Sequence, residues 1–294
     1  MKLRAELLRF RRDDGGVDLL DLLFERLVSL SADDARALDE ESPELMARLE
    51  KQFLLEGPVA EAMRQAAWSS RARARPREAP APAVAVIDWE EARALPEMIA
   101  PAWREPERLR RLAEERAAGR RYLPLPGFLD GAAAARLAEA AGVLAFSPMQ
   151  TDLVHATRHL LAGHELAEWR ALMESPALKR LFGAVLGVEL PERLFINAWR
   201  LQRGDFFAVH PDGRLYRGTL SLGLSTGWTA ADGGAIAFGD PTAAGFSVRE
   251  RWLPHLGDAL LFAPSADTWH AVEPVLSDRV RLSLTGWWTA PPAS

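Results

Sequence analysis

The chain has 294 residues, 36 Lys and Arg against 41 Asp and Glu, a formal net charge of -5 and 48% hydrophobic residues. That is an ordinary globular composition, long enough for one large or two smaller domains, with no electrostatic case for nucleic-acid or anionic-membrane binding. Cysteine is absent, which excludes disulfides, thiolate metal sites and cysteine nucleophiles, so any metal must be held by histidine and carboxylate.

No apolar run reaches the roughly 18 residues of a spanning helix, and the opening MKLRAELLRFRRDDGG lacks the apolar stretch of a signal peptide. The expectation is therefore a cytoplasmic protein. LLRFRR, the turn signal Asp13-Asp14-Gly15-Gly16 and VDLLDLLFERLVSLS predict a β-hairpin, because Asp and Gly tolerate the backbone angles of a tight turn. Ser31 caps a predicted helix from Ala32, Ser42-Pro43 opens another through Leu54, and Pro58 a third reaching Trp68. Residues 1–70 thus read as a small N-terminal α+β domain of hairpin and three helices. Ser69 to Pro82, SSRARARPREAPAP, has no apolar periodicity and reads as a linker over 71–83.

Asp88 to Arg120 is a charged helical stretch broken by Pro96, Pro101 and Pro106, a helical bridge over 84–121. From Tyr122 the segment YLPLPGFL looks extended. Asp130 caps a predicted helix over Gly131 to Ala141, DLVHATRHLLAGHEL is read as helix, and Ser175-Pro176 starts a helix through Leu186. After Glu189 short strand-like runs follow one another: RLFINAWRLQ, DFFAVH, TLSLGLS, GAIAFG, GFSVRERW, DALLFA, TWHAVEPV and RVRLSLTGWW. Their close spacing predicts a domain over 122–294 that is mainly β with helical support, a β-sandwich or jelly roll.

The six histidines can be weighed one by one. His155 and His159 are four apart, but HATRH lacks the glutamate of a zinc-protease HExxH. With His164 they read as partly exposed helix residues or as the lining of a substrate mouth, and His255 as a turn residue. His210 ends a strand-like run and is followed by Pro211 and Asp212, and His270 lies in a later strand. Two imidazoles and one carboxylate occupy one face of an octahedral metal and leave three positions open, as non-haem Fe(II) oxygenases need. A surface histidine followed by a turn aspartate is the commoner source of such a tripeptide. Period-2 alternation puts Arg279, Arg281, Ser283 and Thr285 on one strand face. An inward guanidinium is costly without an anion, and a dicarboxylate cosubstrate would supply one.

With these residues in view, the sequence resembles the Fe(II)- and 2-oxoglutarate-dependent dioxygenases of the prolyl 4-hydroxylase-like branch. The resemblance runs from about Tyr122 to Thr289 and rests on RGDFFAVHPD, a Thr/Leu-rich strand ending at Trp228, Asp232-Gly233-Gly234, PHLGDALLF, TWHAVEPV and RVRLSLTGWW. It implies a double-stranded β-helix in which His210, Asp212 and His270 bind iron and act in catalysis. Arg281 then pairs with the distal carboxylate of 2-oxoglutarate, helped by Thr285, and Gly233-Gly234 and Gly257 match family turns. Two family tyrosines are replaced by Leu201 and Gly223, which leaves Ser221, Thr219 and Asn197 as candidate contacts to the oxo acid. The implied cofactors are Fe(II), 2-oxoglutarate and O2, with ascorbate as a candidate reductant. The retained carboxylate at Asp212 favours hydroxylation over halogenation.

Residues 1–70 resemble PqqD-like peptide-recognition domains, which implies a peptide or protein substrate whose precursor leader adds a strand to the hairpin edge, in ribosomal peptide natural-product biosynthesis. The competing reading of this segment is a small packing or dimerisation domain, and a homodimer is compatible with it. For the whole chain the alternatives are a hydroxylase of a free amino acid or small metabolite and a non-catalytic jelly-roll binding protein. Neither nucleic acid nor membrane is an expected partner.

Overall fold

The computed structural model describes residues 3, 7–21, 26–51, 54–55, 87–150, 153–161, 165–212, 216–242, 245–265 and 268–290. Contacts divide the chain into two compact units, one of residues 1–75, 149–152 and 292–294 and the other of residues 76–148 and 153–291.

In the first unit β1 (Leu7–Arg11), β2 (Val17–Asp21) and β3 (Arg26–Leu30) form an antiparallel sheet in the order β1-β2-β3. The β1–β2 turn is set by Gly15 at φ 80° and by the Asp14 carboxylate, which accepts from the Gly16 amide at 2.9 Å. The expected hairpin is thus two-thirds of a three-stranded sheet. The run VDLLDLLFERLVSLS holds two strands rather than one, as stability requires of a sheet that a lone hairpin would leave marginal. Ser31 caps α1 (Ala32–Asp39) by accepting from the Asp34 amide, and Pro43 opens α2 (Pro43–Lys51). Leu7, Val17, Leu19 and Leu30 of the sheet share a core with Leu38 and Leu49 of these helices. The third helix expected from Pro58 to Trp68 and the linker over 71–83 lie outside the described residues.

The second unit opens with 3-10 turns at Trp89–Ala94 and Pro101–Trp103 and with α3 (Pro106–Ala117). The prolines divide this stretch as expected, with Pro106 at the first turn of α3 where no amide donor is needed. Next come β4 (Leu123–Leu125), α4 (Gly131–Gly142), β5 (Ser147–Gln150), β6 (Val154–Leu160), α5 (Ala167–Glu174) and α6 (Pro176–Leu186). Asp130 and Ser175 cap α4 and α6 through their side chains. The segment 154–160 corrects one expectation, because it is strand and not helix. Residues four apart share a face in either structure, so the His155/His159 spacing could not decide between them. Pairing of Thr157 to Leu160 with Arg200 to Asn197 settles it.

All eight strand-like runs after Glu189 are strands: β7 (Leu194–Leu201), β8 (Phe206–His210), β9 (Tyr216–Gly223), β10 (Ile236–Thr242), β11 (Gly245–Trp252), β12 (Ala259–Phe262), β13 (His270–Val272) and β14 (Arg281–Thr289). They join in the order β11-β10-β13-β8-β6-β7-β14-β9-β12-β4, a nearly closed antiparallel jelly roll. The central strands β7, β14 and β9 are buried on both faces. On one face Ile196, Ala198, Leu222, Leu284 and Trp288 pack with Leu172, Phe182 and Val185 of α5 and α6, and Trp288 Nε1 donates to the Met173 carbonyl at 3.0 Å. On the opposite face the register sets Asn197 beside Thr285 and Thr285 beside Ser221, with Ser283 between Trp199 and Gly223 and Arg281 against Leu201. A polar inner face within an apolar shell is therefore built into the pairing. Among the described residues no helix is long and apolar enough to cross a membrane.

Candidate metal and cosubstrate site

His210 ends β8 and His270 opens β13, and the two are direct cross-strand partners. Asp212 follows two residues after His210, and one ligand atom from each of the three residues lies within 4.8 Å of the others. Asp212 Oδ1 is 3.9 Å from His210 Nε2 and 3.8 Å from His270 Nε2. Each ring is oriented from behind, because His210 Nδ1 donates to the Ala208 carbonyl at 2.7 Å and His270 Nδ1 to the Thr268 carbonyl at 2.9 Å. A proton held on Nδ1 leaves the Nε2 lone pair directed at the common centre, the form in which imidazole ligates a metal.

The carboxylate is oriented as well. Asp212 Oδ2 accepts from Thr219 Oγ1 at 3.1 Å and from Trp287 Nε1 at 3.2 Å, leaving Oδ1 facing the two imidazoles. Two nitrogens and one oxygen converging from one side fit a divalent iron with open positions opposite. Around them the walls are aromatic. Phe262 lies 5.3 Å and Phe238 5.9 Å from the His270 ring, and Tyr122 stacks on Phe238 with its hydroxyl on the Trp269 carbonyl.

Arg281 is 2% exposed. Its Nε donates to the Gly234 carbonyl at 2.7 Å and its Nη1 to Ser283 Oγ at 2.9 Å. Burial pushes its pKa down to about 10, and no acidic group opposes that shift. The remaining guanidinium edge is thus a cation set in the barrel with no carboxylate partner among the described residues. The glycine pair earlier in the chain explains its placement. Gly234 has φ 65°, and a Cβ there would stand 2.9 Å from Arg281 Cδ, while a Cβ on Gly233 at φ 69° would collide with the Pro274 carbonyl.

Arg279 departs from the expected strand face. Pairing of β14 begins at Arg281, so alternation does not extend back to Arg279. Its guanidinium instead donates to the Gly227 and Thr226 carbonyls and to Asp232 Oδ2, and lies over Trp228 at 5.5 Å. Trp228 Nε1 in turn donates to the Gly233 carbonyl at 2.8 Å. Arg279 therefore does not compete with Arg281 for an anion but clamps the turn that positions it.

Thr285, Ser221 and Asn197 lie in one cross-strand row on the same face as Arg281. Of the two positions where the family carries tyrosine, Leu201 faces Arg281 across the strands, and Gly223 is filled by backbone, since a Cβ there would clash with Pro254 and His255. His155 and His159 stand apart from the cluster. His155 pairs with Asp205 at 2.7 Å, and His159 Nδ1 donates to the Ala145 carbonyl at 2.7 Å. His255 bridges to Ser225, and His164 lies outside the described residues. The bonds of Thr219 and Trp287 to Asp212 were not foreseen. Continuing the alternation from Arg281 to Trp287 would have put the indole on the inner face.

A buried guanidinium without a counter-ion opposes folding. Arg281→Met should therefore raise the thermal midpoint of the ligand-free protein by about 2–4 °C, the equivalent of roughly 1 kcal/mol in a domain of this size. Calorimetric melts of the two proteins measure this, and a lowered midpoint in the variant would contradict the reading of Arg281 as an unbalanced charge.

Residues 194–289 match the model of the 2OG-Fe(II) oxygenase superfamily. Among solved structures, the chain is similar to a prolyl-4-hydroxylase of Pseudomonas putida, with 23% identity over 61% of this chain and 99% of that one at a TM-score of 0.51. Also similar are a 2OG-Fe(II) oxygenase family oxidoreductase of Burkholderia pseudomallei, at 18% identity, 62% and 89% coverage and TM-score 0.46, and a Trichoplax adhaerens prolyl hydroxylase solved with a hypoxia inducible factor peptide fragment, at 17%, 62%, 91% and 0.49. No curated protein matches the chain. The first of these structures agrees with the jelly roll, and the family model covers β7 to β14 with both candidate histidines, Asp212 and Arg281. Residues 194–289 are thus similar to the 2OG-Fe(II) oxygenase superfamily, and the jelly roll of the second unit has the fold of the first of these structures.

Proposed function

We propose that this enzyme hydroxylates a side chain of a peptide or protein, with His210, Asp212 and His270 holding Fe(II) and Arg281 holding the distal carboxylate of 2-oxoglutarate. The observation that carries the reading is the pairing of two features on one barrel interior: three converging ligand atoms and a buried guanidinium that lacks an acid. When bound, the iron and its cosubstrate supply the oxidation, in which 2-oxoglutarate and O2 become succinate and CO2 as a substrate C–H becomes C–OH.

The chain's own residues prepare that reaction. The Ala208 and Thr268 carbonyls hold the two imidazoles by their Nδ1 atoms, and Thr219 and Trp287 keep Asp212 turned toward them. Arg281 neutralises the far end of the oxo acid and fixes its direction, while Phe238 and Phe262 exclude water beside His270. Asp212 would give the iron a carboxylate where halogenases of the superfamily leave room for a halide, which favours hydroxylation.

The peptide reading draws on the first unit. Among the described residues its sheet has the order β1-β2-β3, and an extended leader would add to an end strand of such a sheet through main-chain hydrogen bonds. Binding of a precursor leader there would raise the effective concentration of its core peptide at the iron, so the barrel need not grip the target tightly.

The purified protein given Fe(II), 2-oxoglutarate and O2 should form succinate slowly even without a prime substrate. His210→Ala and Asp212→Ala should each reduce this at least a hundredfold with the fold retained by circular dichroism. Succinate formation at the parent rate in either variant would remove the iron assignment. For the first unit, deleting residues 1–75 should abolish binding of a cognate leader peptide, followed by fluorescence anisotropy, and leave succinate formation intact. Undiminished peptide affinity after the deletion would rule out leader recognition by this unit.

A further inference from the structure

Arg279 and Arg281 are two residues apart in the chain, yet the first is half-exposed and the second is buried. Both grip one segment, residues 226–234. Arg279 donates to the Thr226 and Gly227 carbonyls and to Asp232 Oδ2, and Arg281 Nε donates to the Gly234 carbonyl. Trp228 stands between the two grips. The Arg279 guanidinium lies over its ring, and its Nε1 donates to the Gly233 carbonyl. Asp232 is fixed as a partner for Arg279 by the Thr229 amide and hydroxyl, each at 2.9 Å.

The consequence lies at the inner end of this link. Gly233 and Gly234 have φ of 69° and 65°, and two adjacent glycines have wide backbone freedom and no side chain to pack. The direction of their peptide planes is therefore set by the groups bonded to them. The plane between them is held at both ends, with Trp228 Nε1 on the Gly233 carbonyl and the Gly234 amide on the Pro274 carbonyl at 3.1 Å. Without the indole bond one tether remains, and the plane is free to turn about it. The next carbonyl along, that of Gly234, is the one that receives Arg281 Nε. A guanidinium recognises a carboxylate through a planar fork of donors, so tilting its plane loses affinity even though the charge is kept.

We infer that Arg279 is a positioning residue for cosubstrate binding: through Trp228 and the Gly233-Gly234 turn it fixes the plane of the Arg281 guanidinium, and with it the affinity for the distal carboxylate of the oxo acid. The inference rests on the cosubstrate reading above and adds to it a half-exposed cation that answers no anion of its own in the barrel. A clamp that only stabilised the fold would leave the choice between ligands with and without a distal carboxylate unchanged.

The test uses the full-length protein loaded with Mn(II) under argon and titrated calorimetrically with 2-oxoglutarate and with pyruvate. Pyruvate has the same oxo-acid head and no distal carboxylate. Arg279→Met should weaken 2-oxoglutarate about 5- to 10-fold, the size of one hydrogen bond, and leave pyruvate unchanged. Trp228→Phe keeps a ring beneath Arg279 but removes the donor to Gly233, and should show the same selective loss. In an Arg281→Met background Arg279→Met should cause no further loss, because the two residues act in series. Parent affinity for 2-oxoglutarate in both single variants would overturn the inference, as would equal losses for the two ligands or full additivity with Arg281→Met. If Arg281→Met alone binds 2-oxoglutarate as well as the parent, the cosubstrate reading fails and the inference falls with it, a result distinct from the others.

Discussion

The buried charge of Arg281 is the constraint around which the barrel is arranged. A guanidinium in a low-dielectric interior is tolerated only if its donors are used and its charge is answered. Gly234 and Ser283 use two of its donors, and neither carries charge. Among the described residues no carboxylate answers that charge, and the distal carboxylate of the proposed cosubstrate is an anion that would do so. Several local features follow. The positive backbone angles at Gly233 and Gly234 bring a carbonyl to Nε without a side chain in the way. The Arg279 clamp on Asp232 and Trp228 holds that turn, and Leu201 seals the cation from the neighbouring strand.

The three candidate ligand residues follow a different rule, in which hydrogen bonds within the protein fix their orientation. Each histidine is tied by its Nδ1 to a carbonyl two residues back, so the extended backbone itself selects the tautomer. Asp212 leaves its strand at Pro211 and depends on side chains for its direction, which Thr219 and Trp287 provide from β9 and β14. The Asp212 carboxylate is therefore steered by donors from the central strands. β14, which carries Arg281, also carries the Trp287 indole that orients Asp212, so the candidate metal ligands and the buried guanidinium are parts of one register.

Much of this was legible in the sequence because its signals are local. The Asp130 and Ser175 caps mark helix starts at single residues, and short apolar runs between Gly, Pro and Asp turns mark all eight strands after Glu189. His-x-Asp followed by a distant His and an Arg eleven residues on could be read with the family resemblance as a set. What was not legible depended on pairing partners. The spacing of His155 and His159 suits helix and strand equally, and only the β6–β7 register separates them. Arg279 and Arg281 look equivalent by alternation until the strand's first paired residue is known. The indole that holds Asp212 likewise comes from a strand 75 residues further along the chain, and the third strand of the N-terminal sheet and the Thr219 hydroxyl depend on pairing and side-chain direction that apolar pattern alone does not show.

The most direct test of the central claim is optical and needs no prime substrate. Fe(II) and 2-oxoglutarate are added without oxygen to the parent protein and to Arg281→Met, and the visible metal-to-ligand charge-transfer band of the chelated oxo acid is followed against 2-oxoglutarate concentration. The account predicts a saturable band in the parent and at least a tenfold higher half-saturation in the variant. Equal titration curves would contradict it, because Arg281 would then not be answering the cosubstrate's charge.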